Sequence, residues 1–236
     1  MNIYIICILF AVSFLALFAI GELLFHKLKI RSEYTRKFTH ITGAFITLLF
    51  PIYLSSHWQV LVLSSLFALV LFVTDKFNLL QSVHSVKRIT FGGFLFPVAI
   101  YMSYLAFEYT NDLTYFYLPV LILALCDPAA ALVGQAYPWK PIKIGSETKT
   151  LAGFLAFFVL AFALSSLWCF FIQPSIGLSC ECIEGCHGVK KSSFMVVFAI
   201  SSLSSVVEFI SKKGVDNVSI PSVILLILYM FDLLKI

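Results

Sequence analysis

The sequence predicts an all-α bundle of membrane-spanning helices, and three observations carry that expectation. Of its 236 residues, 61% are hydrophobic, only 12% are charged, and the mean hydropathy is +0.99. Soluble domains carry roughly 25% charged residues, so an ordinary soluble enzyme is excluded. Apolar runs close to the ~20 residues that a helix needs to cross a bilayer recur along the whole chain.

Eight spans are expected: Asn2 to Phe25, Ile41 to Ser56, Trp58 to Thr74, Ile89 to Phe107, Thr114 to Val133, Leu151 to Ile172, Ser193 to Ile210 and Val218 to Leu234. They form one integral-membrane domain over residues 1–236, with connections too short for a separate folded unit. The first run lacks a basic leader and a small-residue cleavage site and is read as a retained span. Thirteen of the sixteen Lys and Arg residues fall on the first, third, fifth and seventh connections, which places that side in the cytoplasm and both termini outward. Tyr101, Tyr104, Tyr109, Tyr115 and Tyr117 flank the acidic connection opposite and suit an interfacial belt. The formal charge of +4 is accounted for by cytoplasmic loops against anionic lipid, so nucleic acid is not expected as a partner.

Cys7, Cys126 and Cys169 fall in spans, where thiols behave as small hydrophobes. Cys180, Cys182 and Cys186 accompany His187 in an outward loop, residues 173–192. A disulfide or an inert surface loop is preferred there to zinc, because the spacing fits no standard zinc motif.

Charge inside a span is costly, which makes Asp127, Glu208 and Glu22 candidates for function. Glu22 lies four residues before His26, the spacing of an interfacial ion pair. Asp127 precedes Pro128, the arrangement of an N-cap with proline at the first helical position, so the fifth span is expected to break and restart there. A plain kink capped by Asp127 is the alternative. Ala129, Ala130, Ala131 and Gly134 would allow close approach of a backbone or ligand.

Ser201, Ser204, Ser205 and Glu208 share one helical face, suited to helix packing or to a site wall. Asp216 and Asn217, after Gly214 in the next turn, are helix caps or oxygen ligands for Mg2+. Arg36, His40 and Gly43 share a face beside Lys37, where they would hold phosphate and move a proton or anchor the chain to anionic lipid. Lys140, Lys143, Lys149 and Thr150, with Gly145 and Gly153, read as a flexible basic loop suited to a triphosphate, without the spacing of a P-loop. Except for the cysteine loop, these polar groups share the cytoplasmic side. Carboxylates, cations and glycines gathered at membrane level imply a cytosolic nucleotide meeting a lipid.

Four ordered segments resemble the CTP-dependent lipid kinases, which include dolichol kinase, phytol kinase and fungal diacylglycerol kinase and are related to CDP-diacylglycerol synthase. Arg36-Lys37-Phe38-Thr39-His40 with Gly43 is similar to that family's Arg-Lys-x-x-His segment, and Asp127-Pro128-Ala129-Ala130 through Gly134 to its fifth-helix motif. Lys149-Thr150-Leu151-Ala152-Gly153 resembles its Lys-Thr/Ser-x-x-Gly stretch. Glu208 with Gly214-Val215-Asp216-Asn217 and Pro221 resembles its C-terminal motif. Cys126 stands where many members have Gly, and Phe154 where Ser often follows Gly, which bears on pocket shape and substrate. The long cytidylyltransferase signature ending in Asp-Arg-x-Asp is absent.

The resemblance implies phosphoryl transfer from CTP to a membrane lipid hydroxyl, on a polyprenol-type alcohol or diacylglycerol. Mg2+ would be held by Asp127, Asp216 and Asn217. Arg36, Lys37, Lys149, Thr150, Gly134 and Gly153 would bind nucleotide and phosphate, and Glu208 or His40 would act on the hydroxyl. Formation of a CDP-lipid from phosphatidate is the nearest alternative, and an ion-coupled transporter with Asp127 in a broken helix is a third.

Overall fold

The computed structural model describes residues 3–77, 79–80, 82, 92–145, 147–172 and 191–234. The expected cysteine loop falls almost wholly outside them. The described chain is helical apart from one hairpin: α1 Ile3–His26, α2 Ser32–Thr47, α3 Phe50–Tyr53, α4 His57–Lys76, α5 Gly92–Thr110, α6 Thr114–Ala136, strands β1 Pro141–Ile144 and β2 Glu147–Thr150, α7 Leu151–Leu167, α8 Lys191–Ile210 and α9 Asp216–Leu234. A single π turn, Trp168–Ile172, extends α7. By length and composition α1, α4, α6, α7 with its extension, and α9 can each cross a bilayer, and Phe194–Ile210 of α8 is a shorter apolar helix.

Helix α6 is the axis of the bundle. It packs against α2, α5, α7 and α9, while α8 leans on α7 and α9, α4 on α5, and α1 on α2 and α4. Phe116, Leu118, Ile122 and Leu123 of α6 are wholly enclosed. Such contacts stabilise through close packing of side chains.

Three expectations are corrected. The helix break at Asp127-Pro128 is absent, for α6 runs continuously through Pro119 and Pro128. Proline removes one backbone donor and leaves the carbonyl four residues earlier without it, but neighbouring helices hold α6 on several sides, and His40 Nε2 reaches the adjacent Leu123 carbonyl at 3.2 Å. Tertiary packing thus overrides the capping signal. The second expected span begins earlier and is interrupted: α2 ends at Thr47, and Pro51, in the first turn of α3, cannot donate to the Thr47 carbonyl. Two members of the tyrosine belt are interior. Both rings are buried, with Tyr104 donating to Leu54 O at 2.8 Å in the interior and Tyr115 donating to the carboxylate of the exposed Asp232.

The hairpin β1–β2 joins α6 to α7 with Pro141 opposite Thr150 and Ile144 opposite Glu147. Gly145 at its tip has φ +64, a conformation that glycine adopts without a side-chain clash.

Candidate functional site

Lys149 is the penultimate residue of β2, two residues before α7 begins, and its side chain projects into a group of carboxylates. Its Nζ donates to the Glu208 carboxylate and, at 3.1 Å, to the Glu208 carbonyl, and lies 4.0 Å from Asp216 Oδ2. Asp127, Glu208 and Asp216 each offer an oxygen within 4.8 Å of the others. They come from the interior of α6, the last turn of α8 and the first residue of α9. The turn Ser211 to Val215 reverses the chain between α8 and α9 and so sets the last two carboxylates side by side.

Burial makes this arrangement consequential. The Lys149 and Glu208 side chains are only 16% and 5% exposed. Burial alone would lower the Lys149 pKa, but Glu208, then Asp216 and Asp127, outweigh it and hold the ammonium above its ordinary 10.5. At an effective dielectric of 20, two carboxylates at this separation repel by roughly 3 kcal/mol. One ammonium among three carboxylates leaves an excess of two negative charges, the deficit that a divalent cation would balance. The donors are all hard oxygens, which suits Mg2+.

Of the residues expected to hold metal, Asp127 and Asp216 lie in this cluster, and Glu208 joins them. Asn217 is buried with its Nδ2 donating to Gly92 O at 2.7 Å across to α5, whereas Glu208 faces the two aspartates.

The α2 residues border the cluster. His40 stacks near Phe96 with ring centroids 5.0 Å apart, and its bond to Leu123 O places it one helical turn from Asp127. A carbonyl only accepts, so His40 Nε2 carries a proton and Nδ1 of the neutral ring is left with a lone pair. Arg36 Nη2 and Lys37 Nζ lie 3.4 and 3.8 Å from Glu33 Oε1. Lys37 is buried, and its charge is felt at both His40 and Glu208.

No family model, curated protein or solved structure matches the chain. The chemistry of the site therefore rests on its own residues.

Thr150, Gly134 and Gly153 are occupied with packing. The Thr150 hydroxyl accepts from Gly153 N at 3.1 Å and caps α7. A Cβ on Gly134 would lie 2.6 Å from that hydroxyl, and one on Gly153 would lie 2.7 Å from Ala130 O. These residues bring α6 and α7 close enough for Lys149 to reach its partners. Gly43 is different, since a Cβ there would meet Leu17 and Phe14 at ordinary contact distances. The serine face of α8 is buried, and Ser201, Ser204 and Ser205 donate to carbonyls of their own helix. Glu22 pairs with His26 at 3.0 Å, as its spacing suggests, and also accepts from Ser82 N at 2.8 Å.

Sequence reasoning missed Glu147. Its buried carboxylate accepts from Lys213 N at 2.8 Å and ties the hairpin to the turn that delivers Asp216. Glu147 and Lys149 alternate along β2 and so project from the same face of the strand. An acid two places before the key lysine in a basic segment was the available signal.

Proposed function

We propose that the chain is a polytopic membrane protein of about eight spans that transfers the terminal phosphoryl group of CTP to the hydroxyl of a membrane lipid, at the cytoplasmic face. The acceptor is a polyprenol- or phytol-type alcohol or diacylglycerol. The observation that carries this reading is the meeting of Asp127, Lys149, Glu208 and Asp216: three sequence segments that resemble lipid-kinase motifs converge on one buried cluster. The fourth segment borders it through His40. The unbroken α6 removes the half-helix on which a transporter reading depends.

Asp127, Glu208 and Asp216 would hold Mg2+, which supplies charge neutralisation for the triphosphate. Lys149, Lys37 and Arg36 stabilise phosphate charge as the bond to the leaving CDP lengthens. The lipid oxygen attacks the γ-phosphorus, the bond to the β-phosphate oxygen breaks, and the hydroxyl proton passes to a base. His40 is better suited to that role than Glu208, because its Nδ1 has a free lone pair while Glu208 is engaged by Lys149. Phosphoryl transfer asks mainly for positioning and electrostatics, which residues fixed on packed helix ends provide.

The test supplies purified protein with Mg2+, a panel of lipid alcohols together with phosphatidate, and CTP labelled at the α or the γ position. Label from the γ position is expected in the lipid, and Asp127→Asn and Lys149→Ala should abolish its transfer. Label from the α position in a phosphatidate-derived product would establish the CDP-lipid reaction instead. Absence of both labels from lipid would refute the proposal.

A further inference from the structure

The segment that carries Lys149 has an outer surface that the proposed reaction does not use. Tyr137, Trp139 and Ile142 are 70%, 53% and 47% exposed, although they lie beyond the apolar helix α6. Lys140 and Lys143 alternate with them and are exposed, as are Lys212 and Lys213 of the neighbouring turn. The two segments form one surface. Glu147 joins the hairpin to Lys213 N, and the Lys212 side chain lies against Gly145 at the hairpin tip.

Among the described residues none of these four lysine ammonium groups has a carboxylate partner. Lys140, at φ 45, is turned so that its ammonium lies 5.5 Å from the centroid of the Trp139 ring. Aromatic rings beside cations suit the headgroup layer, where the ring meets acyl chain and the ammonium meets phosphate. Continuity fixes the depth. α6 ends at Ala136 and α7 begins at Leu151, so both helices leave the hydrocarbon where the hairpin stands.

We infer that the hairpin and the Lys212–Lys213 turn form a docking surface for anionic lipid headgroups of the membrane in which the chain is embedded. This rests on the membrane reading proposed above and is independent of the reaction. Each lysine at such a surface strengthens headgroup attraction by about fivefold. A triphosphate is the rival ligand for these cations, but it would leave the exposed Ile142 and Tyr137 in water.

The test places the full chain in nanodiscs whose acyl chains are brominated either on phosphatidylglycerol or on phosphatidylcholine, at equal mole fraction. The signal is the part of tryptophan quenching that Trp139→Phe removes. Brominated phosphatidylglycerol is expected to quench Trp139 at least about twofold more strongly. The combined variant K140Q/K143Q/K212Q/K213Q should erase the difference. Equal quenching by the two lipids, a preference that survives the combined variant, or loss of the preference on addition of CTP with Mg2+ would overturn the inference. A chain that does not enter nanodiscs would instead overturn the membrane reading and this inference with it.

Discussion

Replacing Lys149 by methionine removes the ammonium while keeping much of the volume, and its effect can be worked from the structure. Glu208 is left with a carboxylate that is 5% exposed and has two like charges within 4.8 Å. Breaking a buried pair by deleting one partner costs about 3–5 kcal/mol, because the surviving charge is uncompensated. For a chain of this size that corresponds to a fall in Tm of roughly 6–20 °C, at about 2–4 °C per kcal/mol. Thermal unfolding in detergent, followed by tryptophan fluorescence, measures it.

Two companion measurements make the reasoning specific. Lys149→Met combined with Glu208→Gln should recover most of the loss, since no unbalanced charge is left on α8. Divalent cation should restore Lys149→Met more than it stabilises the parent, because removing the ammonium raises the excess negative charge from two to three, and a ligand that binds only the folded state stabilises by mass action. A Lys149→Met variant as stable as the parent, or a double variant no better than the single, would refute the picture of one ammonium offsetting a buried acid cluster. The linkage has a definite sign. Lys149 has a raised folded pKa, so its contribution is complete below the unfolded value of 10.5 and is lost only as pH rises through the higher folded value.

Other consequences follow from particular contacts. Glu147→Ala should lower kcat and weaken cation binding, measured by Mn2+ titration, while Glu147→Gln, whose amide oxygen still accepts from Lys213 N, should retain most of both. Gly153→Ala sets a Cβ 2.7 Å from a backbone oxygen on α6 and should destabilise by about 1–3 kcal/mol in the same thermal assay, whereas Gly43→Ala should be tolerated.

The helical class and the positions of the five long apolar helices were legible because an apolar run of that length has few other uses. Asp127, Glu208, Lys149 and Asp216 stood out for a related reason, as scarce charges in an apolar chain. That Asp127 and Asp216 share a site was expected only through the family resemblance, and the direct contact of Lys149 with Glu208 depends on how the hairpin packs against α8. The hairpin escaped notice because Ile142 and Ile144, and Thr148 and Thr150, give only two turns of alternation each, too short to distinguish from a loop. Asp127-Pro128 misled in the opposite direction. Its local capping preference, about 1 kcal/mol, is small beside the packing of α6 against four helices. Asn217 reads in the sequence as a helix cap or an oxygen ligand, and the bond from its Nδ2 to Gly92 on α5 depends on the packing of α9 against α5.

The distribution of the acid cluster over α6, α8 and α9 has a consequence for biosynthesis. In chain order Asp127 comes before any counterion of the cluster, and Lys149 follows only with the hairpin. Glu208 follows 59 residues after Lys149, and Asp216 eight after that. Lys149 thus offsets Asp127, and the two later carboxylates then add negative charge. Docking of α9 therefore takes the cluster from one excess negative charge to two, so the last helix to be made is the one that completes its demand for a divalent cation.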